Sequence, residues 1–207
     1  DKAGFDGVEL HGAHGYIICQ FLSSDINKRS DEFGGSLENR ARLLMRIVDG
    51  VREQCRPDLQ LAVRLSPERF GMLVDEIREV FAWLVASNKV DLIDMSLWDV
   101  FKEAHEPEHA GKQLLELFTS IPRGNVKLAV AGKIATPQDA QKVIDLGADI
   151  ATLGRGAILH HDYPNKTKAD PHFTPRTLPV AAEVLRSEGL SEPFVNYMKS
   201  WTGFVSE

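Results

Sequence analysis

Apolar runs of four or five residues recur along this chain, each closed by glycine or a polar residue. Gly7-Val8-Glu9-Leu10, Leu61-Ala62-Val63-Arg64-Leu65, Leu92-Ile93-Asp94-Met95, Lys127-Leu128-Ala129-Val130-Ala131 and Asp149-Ile150-Ala151-Thr152-Leu153 alternate little. That is the pattern of parallel strands covered on both faces. Between them, apolar residues fall at helical spacing. Leu43, Leu44, Ile47, Val48 and Val51 predict a helix over 37–54, with Ser36 as N-cap. Ile77, Val80, Phe81, Leu84 and Val85 predict another over 74–86. Thr136-Pro137-Gln138-Asp139 reads as cap, first-turn proline and acidic first turn of a helix that reaches Leu146 and stops at Gly147. Alternation of strand and helix at this spacing predicts an α/β fold with a parallel sheet.

Beyond Leu153 the pattern changes. Gly154-Arg155-Gly156-Ala157 opens a short helical stretch, 162–177 is polar and proline-rich, and helical segments follow over about 179–187 and 192–201. Residues 1–162 are therefore expected to form the βα units, and 163–207 a C-terminal extension of short helices packed on them. Composition narrows the class. The 207 residues carry 24 Lys and Arg against 30 Asp and Glu, a net charge of −6. This acidic balance argues against nucleic-acid binding. A chain of this length can bury a sizeable core without disulfides or a structural metal. Cys19 and Cys55 form no CxxC pair, so no zinc or iron–sulfur framework can be assembled from them; reduced thiols and a cytoplasmic location are expected. No apolar run approaches the ~20 residues that span a bilayer, and no membrane partner is expected. The chain opens on Asp1 rather than Met and runs at once into Ala3-Gly4-Phe5-Asp6, which reads as the turn into a strand.

Function in parallel α/β folds gathers at the carboxyl ends of strands. Here those ends carry His11-Gly12-Ala13-His14-Gly15-Tyr16, Arg64, Ser96-Leu97-Trp98-Asp99, Ala131-Gly132-Lys133 and Gly154-Arg155. Gly132 and Gly154-Arg155 suggest a phosphate cradle, since glycine admits backbone N–H groups close to an anion and arginine completes the clamp; both glycines also serve simply as turns. The His-x-x-His pair admits three readings. It supplies two imidazoles to a metal, with Glu9 as the further ligand needed; or two donors to a carbonyl or oxyanion; or two satisfied structural histidines. Tyr16 beside it offers a phenol, a poor base at neutral pH but a serviceable acid towards an enolate. Residues 20–40 form a long polar excursion in which Arg29, Asp31, Glu32, Glu38 and Arg40 are placed to form ion pairs, a structural role weighed equally with substrate contact.

The segment GFDGVELHGAHGYIICQFLSSDINKRSDEFGGSLENRARLL, continued by VRLSP, VAGKIATPQDA and LGRGAIL, resembles the Old Yellow Enzyme family of FMN-dependent ene-reductases across essentially the whole chain. The resemblance implies a (β/α)8 TIM barrel, of which this chain covers about strands 4 to 8 plus C-terminal helices. It implies FMN as cofactor, NAD(P)H as reductant and a small-molecule activated alkene as substrate. Position by position, His11 and His14 would hold the substrate's activating oxygen and Tyr16 would protonate its α-carbon. Arg64 would lie by the flavin pyrimidine, and Ala131, Gly132, Lys133, Gly154 and Arg155 would hold the FMN phosphate. No metal site is implied, and Trp98 carries no motif-level assignment. The barrel's earlier strands, with their flavin contacts, lie outside this sequence. Two other classes stay in view. One is a half-barrel without FMN that dimerises or binds a partner through its exposed sheet edges. The other is a phosphate-binding lyase or aldolase, against which no strand carries a Schiff-base lysine; Lys133 lies just beyond its strand.

Overall fold

The computed structural model describes residues 1–206. Five parallel strands, β1 (Gly7–Gly12), β2 (Gln60–Leu65), β3 (Leu92–Ser96), β4 (Lys127–Ala131) and β5 (Ile150–Thr152), lie side by side in chain order. The helices are α1 (Ile17–Leu22), α2 (Leu37–Gln54), α3 (Val74–Ala86), α4 (Leu114–Thr119), α5 (Pro137–Asp145), α6 (Arg155–Leu159), α7 (Tyr163–Ala169), α8 (Ala182–Ser187) and α9 (Glu192–Lys199).

Strand side chains alternate between the two faces. Leu61, Val63, Leu65, Ile93, Met95, Leu128 and Val130 take one face and are fully buried against the helical layer, including Leu44 and Val48 of α2 and Ile77, Phe81 and Leu84 of α3. The opposite face carries Glu9, His11, Arg64, Asp94 and Ser96. Register sets His11 beside Arg64, Arg64 beside Asp94, Asp94 beside Ala129 and Ser96 beside Ala131. Polar side chains from three strands are thus brought onto one concave surface. The edge strands β1 and β5 leave Val8 and Ile150 exposed.

Ser36 caps α2 by accepting from the Asn39 N–H at 3.4 Å, and Thr136 with Asp139 closes a capping box on α5, as the sequence predicts. Three helices depart from expectation. α1 occupies the start of the presumed polar excursion; at six residues it shows no periodicity, yet it buries Ile18, Cys19 and Leu22. α4 buries Leu114, Leu115, Leu117 and Phe118 in a run too short and too uniformly apolar to read as helical. α7 lies inside the proline-rich stretch, held by an Asp162–Lys166 ion pair and burying only Tyr163. α8 begins at Ala182 rather than Pro179, and α9 ends at Lys199.

The rest of the 20–40 excursion is built as structure. Asn27 Nδ2 donates to Phe21 O and Phe33 O, both at 2.7 Å, while the buried Arg40 pairs with Glu76 of α3 and donates to Gly35 O at 3.1 Å. Arg29 pairs with Asp31, but Glu32 pairs outward with Arg46, and Glu38 is stabilised as a carboxylate chiefly by the Ser36 hydroxyl. A separate apolar cluster forms after β5 from Leu159, Val180, Leu185, Val195, Met198 and Phe204. Its anchor is the buried Glu188, which accepts from the His161 N–H at 2.9 Å, from His161 Nδ1 at 2.7 Å and from Arg176. Burial opposes the Glu188 charge, but the Arg176 and His161 hydrogen bonds outweigh it and hold the carboxyl down to about 2. Among the described residues no helix is long and apolar enough to cross a membrane.

Candidate active site

The chain leaves β1 through His14 at φ 58° and Gly15 at φ 77°, a left-handed turn that brings Tyr16 to the start of α1. The turn returns the Tyr16 ring to 5.3 Å from the His11 ring, which is 5.0 Å from that of His14. The His14 N–H donates to Ser66 Oγ at 3.2 Å, tying this loop to the end of β2. Burial, then the Arg64 charge, lowers the pKa of both imidazoles, with His11 adding to the effect at His14. At neutral pH each is therefore uncharged, with one N–H to donate. Glu9 is pushed the other way, by burial and by Asp94.

Arg64 crosses the concave face from β2. Its Nε donates to Ser96 Oγ at 2.7 Å and lies 3.4 Å from Asp94 Oδ2. Among the described residues its two terminal nitrogens have no hydrogen-bond partner, so the fork is anchored from behind and open in front. At the end of β4, Gly132 at φ 155° presses against the β3 loop; a Cβ there would stand 2.8 Å from Asp99 N and Trp98 C. Only glycine allows that approach. Trp98, at φ 62°, lies under the Arg69 guanidinium, 3.9 Å from ring centroid to cation.

His14, Tyr16, Arg64, Phe70, Ser96, Trp98, Ala131 and Gly132 line one cavity of about 450 Å³. Of the residues singled out in the sequence, His14, Tyr16, Arg64, Ala131 and Gly132 meet there, with His11 against two of them. Lys133, Gly154 and Arg155 are not in that lining. Lys133 pairs with Asp99 at 3.0 Å, whereas Arg155 is exposed and has no ion-pair partner among the described residues. No Cβ clash would arise at Gly154. His11, His14 and Glu9 do not converge as a three-ligand group among the described residues, so the metal reading of the His pair has no geometric support. Sequence reasoning missed Asp94 and Phe70. The signal for Asp94 was available: a lone charge in an apolar strand, two residues before Ser96. A larger recess of about 930 Å³ opens at the amino-terminal ends of the strands, beside Gly7, Gln60 and Lys127. Of the groups above only Glu9 reaches it, and it is the uncovered base of the sheet.

FMN needs a cation for its pyrimidine edge and an anion site for its phosphate. The terminal nitrogens of Arg64, without a partner among the described residues and beside an open cavity, fit the pyrimidine edge, and the exposed Arg155, outside that cavity's lining, is the cation available to the phosphate.

A parallel βα sheet with imidazoles, a phenol and a guanidinium at its carboxyl ends defines a βα-type enzyme domain. Residues 1–172 match the model of the NADH:flavin oxidoreductase / NADH oxidase family, and the chain belongs to that family. It is 36% identical over 187 residues to NADPH dehydrogenase of Bacillus cytotoxicus, covering 83% of this chain and 51% of that protein. It is 33% identical over 175 residues to NADH oxidase of Thermoanaerobacter brockii, covering 80% of this chain and 27% of that protein. Among solved structures, morphinone reductase superposes with a TM-score of 0.68 at 28% identity, covering 88% of this chain and 48% of that one. The chain thus spans about half the length, or less, of these relatives.

Proposed function

We propose that this chain supplies strands four to eight of a (β/α)8 barrel, with residues 163–207 as a helical extension packed on it, and that the complete protein reduces an activated C=C bond at the expense of NAD(P)H. The observation that carries the reading is the Arg64 guanidinium, whose terminal nitrogens have no partner among the described residues, lining one cavity with His14 and Tyr16. The exposed edges at β1 and β5 suit further strands on both sides. Family membership supports a flavin, and the names of the relatives, NADPH dehydrogenase and NADH oxidase, support NAD(P)H as the class of reductant.

FMN, when bound, supplies the hydride chemistry, taking two electrons from NAD(P)H and delivering them to the substrate. Arg64 would hold the pyrimidine edge, and Ala131, Gly132, Lys133, Gly154 and Arg155 would take the phosphate. His11 and His14, uncharged, each donate an N–H to the oxygen that activates the alkene, where negative charge develops as hydride adds at the β-carbon. Tyr16 then gives its hydroxyl proton to the α-carbon and recovers one from solvent. The balance is NAD(P)H, one proton and an alkene in; NAD(P)⁺ and the saturated product out. Enone- and enal-type compounds match the two-donor oxygen site.

The full-length protein tests this. Expected are a yellow protein with a flavin absorption band, bleaching on anaerobic addition of NADPH or NADH, and recovery of the band on addition of cyclohexenone. A colourless protein that takes up no added FMN overturns the proposal and favours a flavin-free barrel segment acting as a pairing module.

A further inference from the structure

The concave face holds a charge that the reaction does not use. Asp94 sits at the centre of the sheet, 4% exposed, with Oδ2 3.4 Å from Arg64 Nε and with Oδ1 lacking a hydrogen-bond partner among the described residues. Buried polar oxygens are almost always satisfied, so an orphan one needs a reason. Packing does not provide it: Asn, Ser or an apolar residue would fill the site without burying a charge beside a cluster that already includes Glu9. The charged and titratable groups facing Asp94 are Glu9 and His11 on β1 and Arg64 on β2; β4 offers only Ala129.

We infer that Asp94 is a positioning and charge-tuning residue for Arg64, setting how much of the guanidinium's charge a bound flavin experiences. This rests on the flavin reading above. Ser96 and Asp94 divide the task at Nε. Ser96 Oγ takes the short 2.7 Å bond and fixes direction without charge, while Asp94 at 3.4 Å contributes chiefly a field. In a site of low dielectric, one negative charge behind the guanidinium offsets part of its attraction for an anion in front. A reduced, anionic flavin is therefore held less tightly than an isolated Arg64 would hold it, and the flavin's potential is kept lower. Lower potential favours passing hydride onward to an alkene. Protonation of Asp94 removes the offset. Burial holds its carboxyl above the ordinary carboxylate range against the pull of Arg64.

The test is the midpoint potential of FMN in the full-length protein, wild type against Asp94→Asn, from pH 6 to 9. The expected result is a higher potential in Asp94→Asn at pH 8. The change should be about tenfold in the ratio of reduced to oxidised flavin affinity, or ~30 mV for a two-electron couple. The difference should shrink only where Asp94 becomes protonated. Glu9→Gln should retain that pH dependence, and Ser96→Ala should weaken FMN binding in both oxidation states alike, leaving the potential in place. Should Asp94→Asn not fold, Asp94→Ser, smaller and neutral, gives the same comparison. Equal potentials at every pH, or a Ser96→Ala shift as large as that of Asp94→Asn, overturn the inference while leaving the flavin reading intact. A wild-type protein that binds no FMN overturns both.

Discussion

Two glycines at neighbouring strand ends separate what the fold needs from what the ligand needs. Gly132 stands at φ 155°, and a Cβ there meets three backbone atoms, Asp99 N and Trp98 C at 2.8 Å and Trp98 N at 3.0 Å. No flexible side chain can yield, so the β3 and β4 loops must separate. Backbone strain costs ~1–3 kcal/mol and overpacking another ~1–3 kcal/mol. Gly132→Ala is therefore expected to destabilise by about 2–6 kcal/mol in urea unfolding monitored by circular dichroism. Gly154 offers a different case: nothing lies within 4 Å of a built Cβ, but its φ of −96° with ψ of −96° lies outside the regions an L-residue readily adopts. Gly154→Ala should cost ~1–3 kcal/mol, from backbone strain alone and without a steric clash. If an anion approaches the backbone there, a methyl group in that space should still weaken FMN binding about tenfold, or ~1.4 kcal/mol. Isothermal titration of the apoprotein with FMN measures this. The reasoning fails if Gly132→Ala is as stable as wild type, or if Gly154→Ala binds FMN unchanged.

Other outcomes follow from the charges. Glu188, whose carboxyl lies at about 2 against an ordinary 4.5, stabilises the C-terminal cluster fully above pH 4.5 and loses that contribution as pH falls towards 2. Glu188→Gln should cost ~1.5–3 kcal/mol at pH 7 and remove this part of the acid sensitivity, read from melting temperatures across pH. Arg40→Ala should leave Glu76 without its partner and detach the 20–40 loop from α3, seen as early trypsin cleavage within that loop. Because burial and the Arg64 charge lower the pKa of His11 and His14, an NMR titration should show both imidazoles taking up their protons at lower pH than a free imidazole.

Much of the sheet was legible because its outer-face residues are uninterrupted aliphatics, and because α2, α3 and α5 have enough turns for periodicity and caps to register. What escaped were elements whose reason to exist is tertiary. α1 is six residues long and is a helix because Ile18, Cys19 and Leu22 bury against the rest of the core. α7 presents almost no apolar face and is held by Tyr163 and an ion pair. At the site, the residue types at strand ends were readable, but their convergence was not. Lys133, read as a cradle residue, also pairs with Asp99 of the β3 loop, a contact that only the fold brings about. Asp94 is a lone charge in an apolar strand, and only the register across β2, β3 and β4 places it beside Arg64 at the centre of the sheet.

The account rests on Tyr16 acting as an acid at a site where the histidines hold an oxygen and a flavin supplies hydride. Stopped-flow kinetics of the full-length Tyr16→Phe protein separate these roles. Flavin reduction by NADPH should proceed within about twofold of wild type, while reoxidation by cyclohexenone should slow by the ~10²–10⁴-fold that a positioned proton donor contributes. Equal slowing of both halves, or neither, contradicts the assignment.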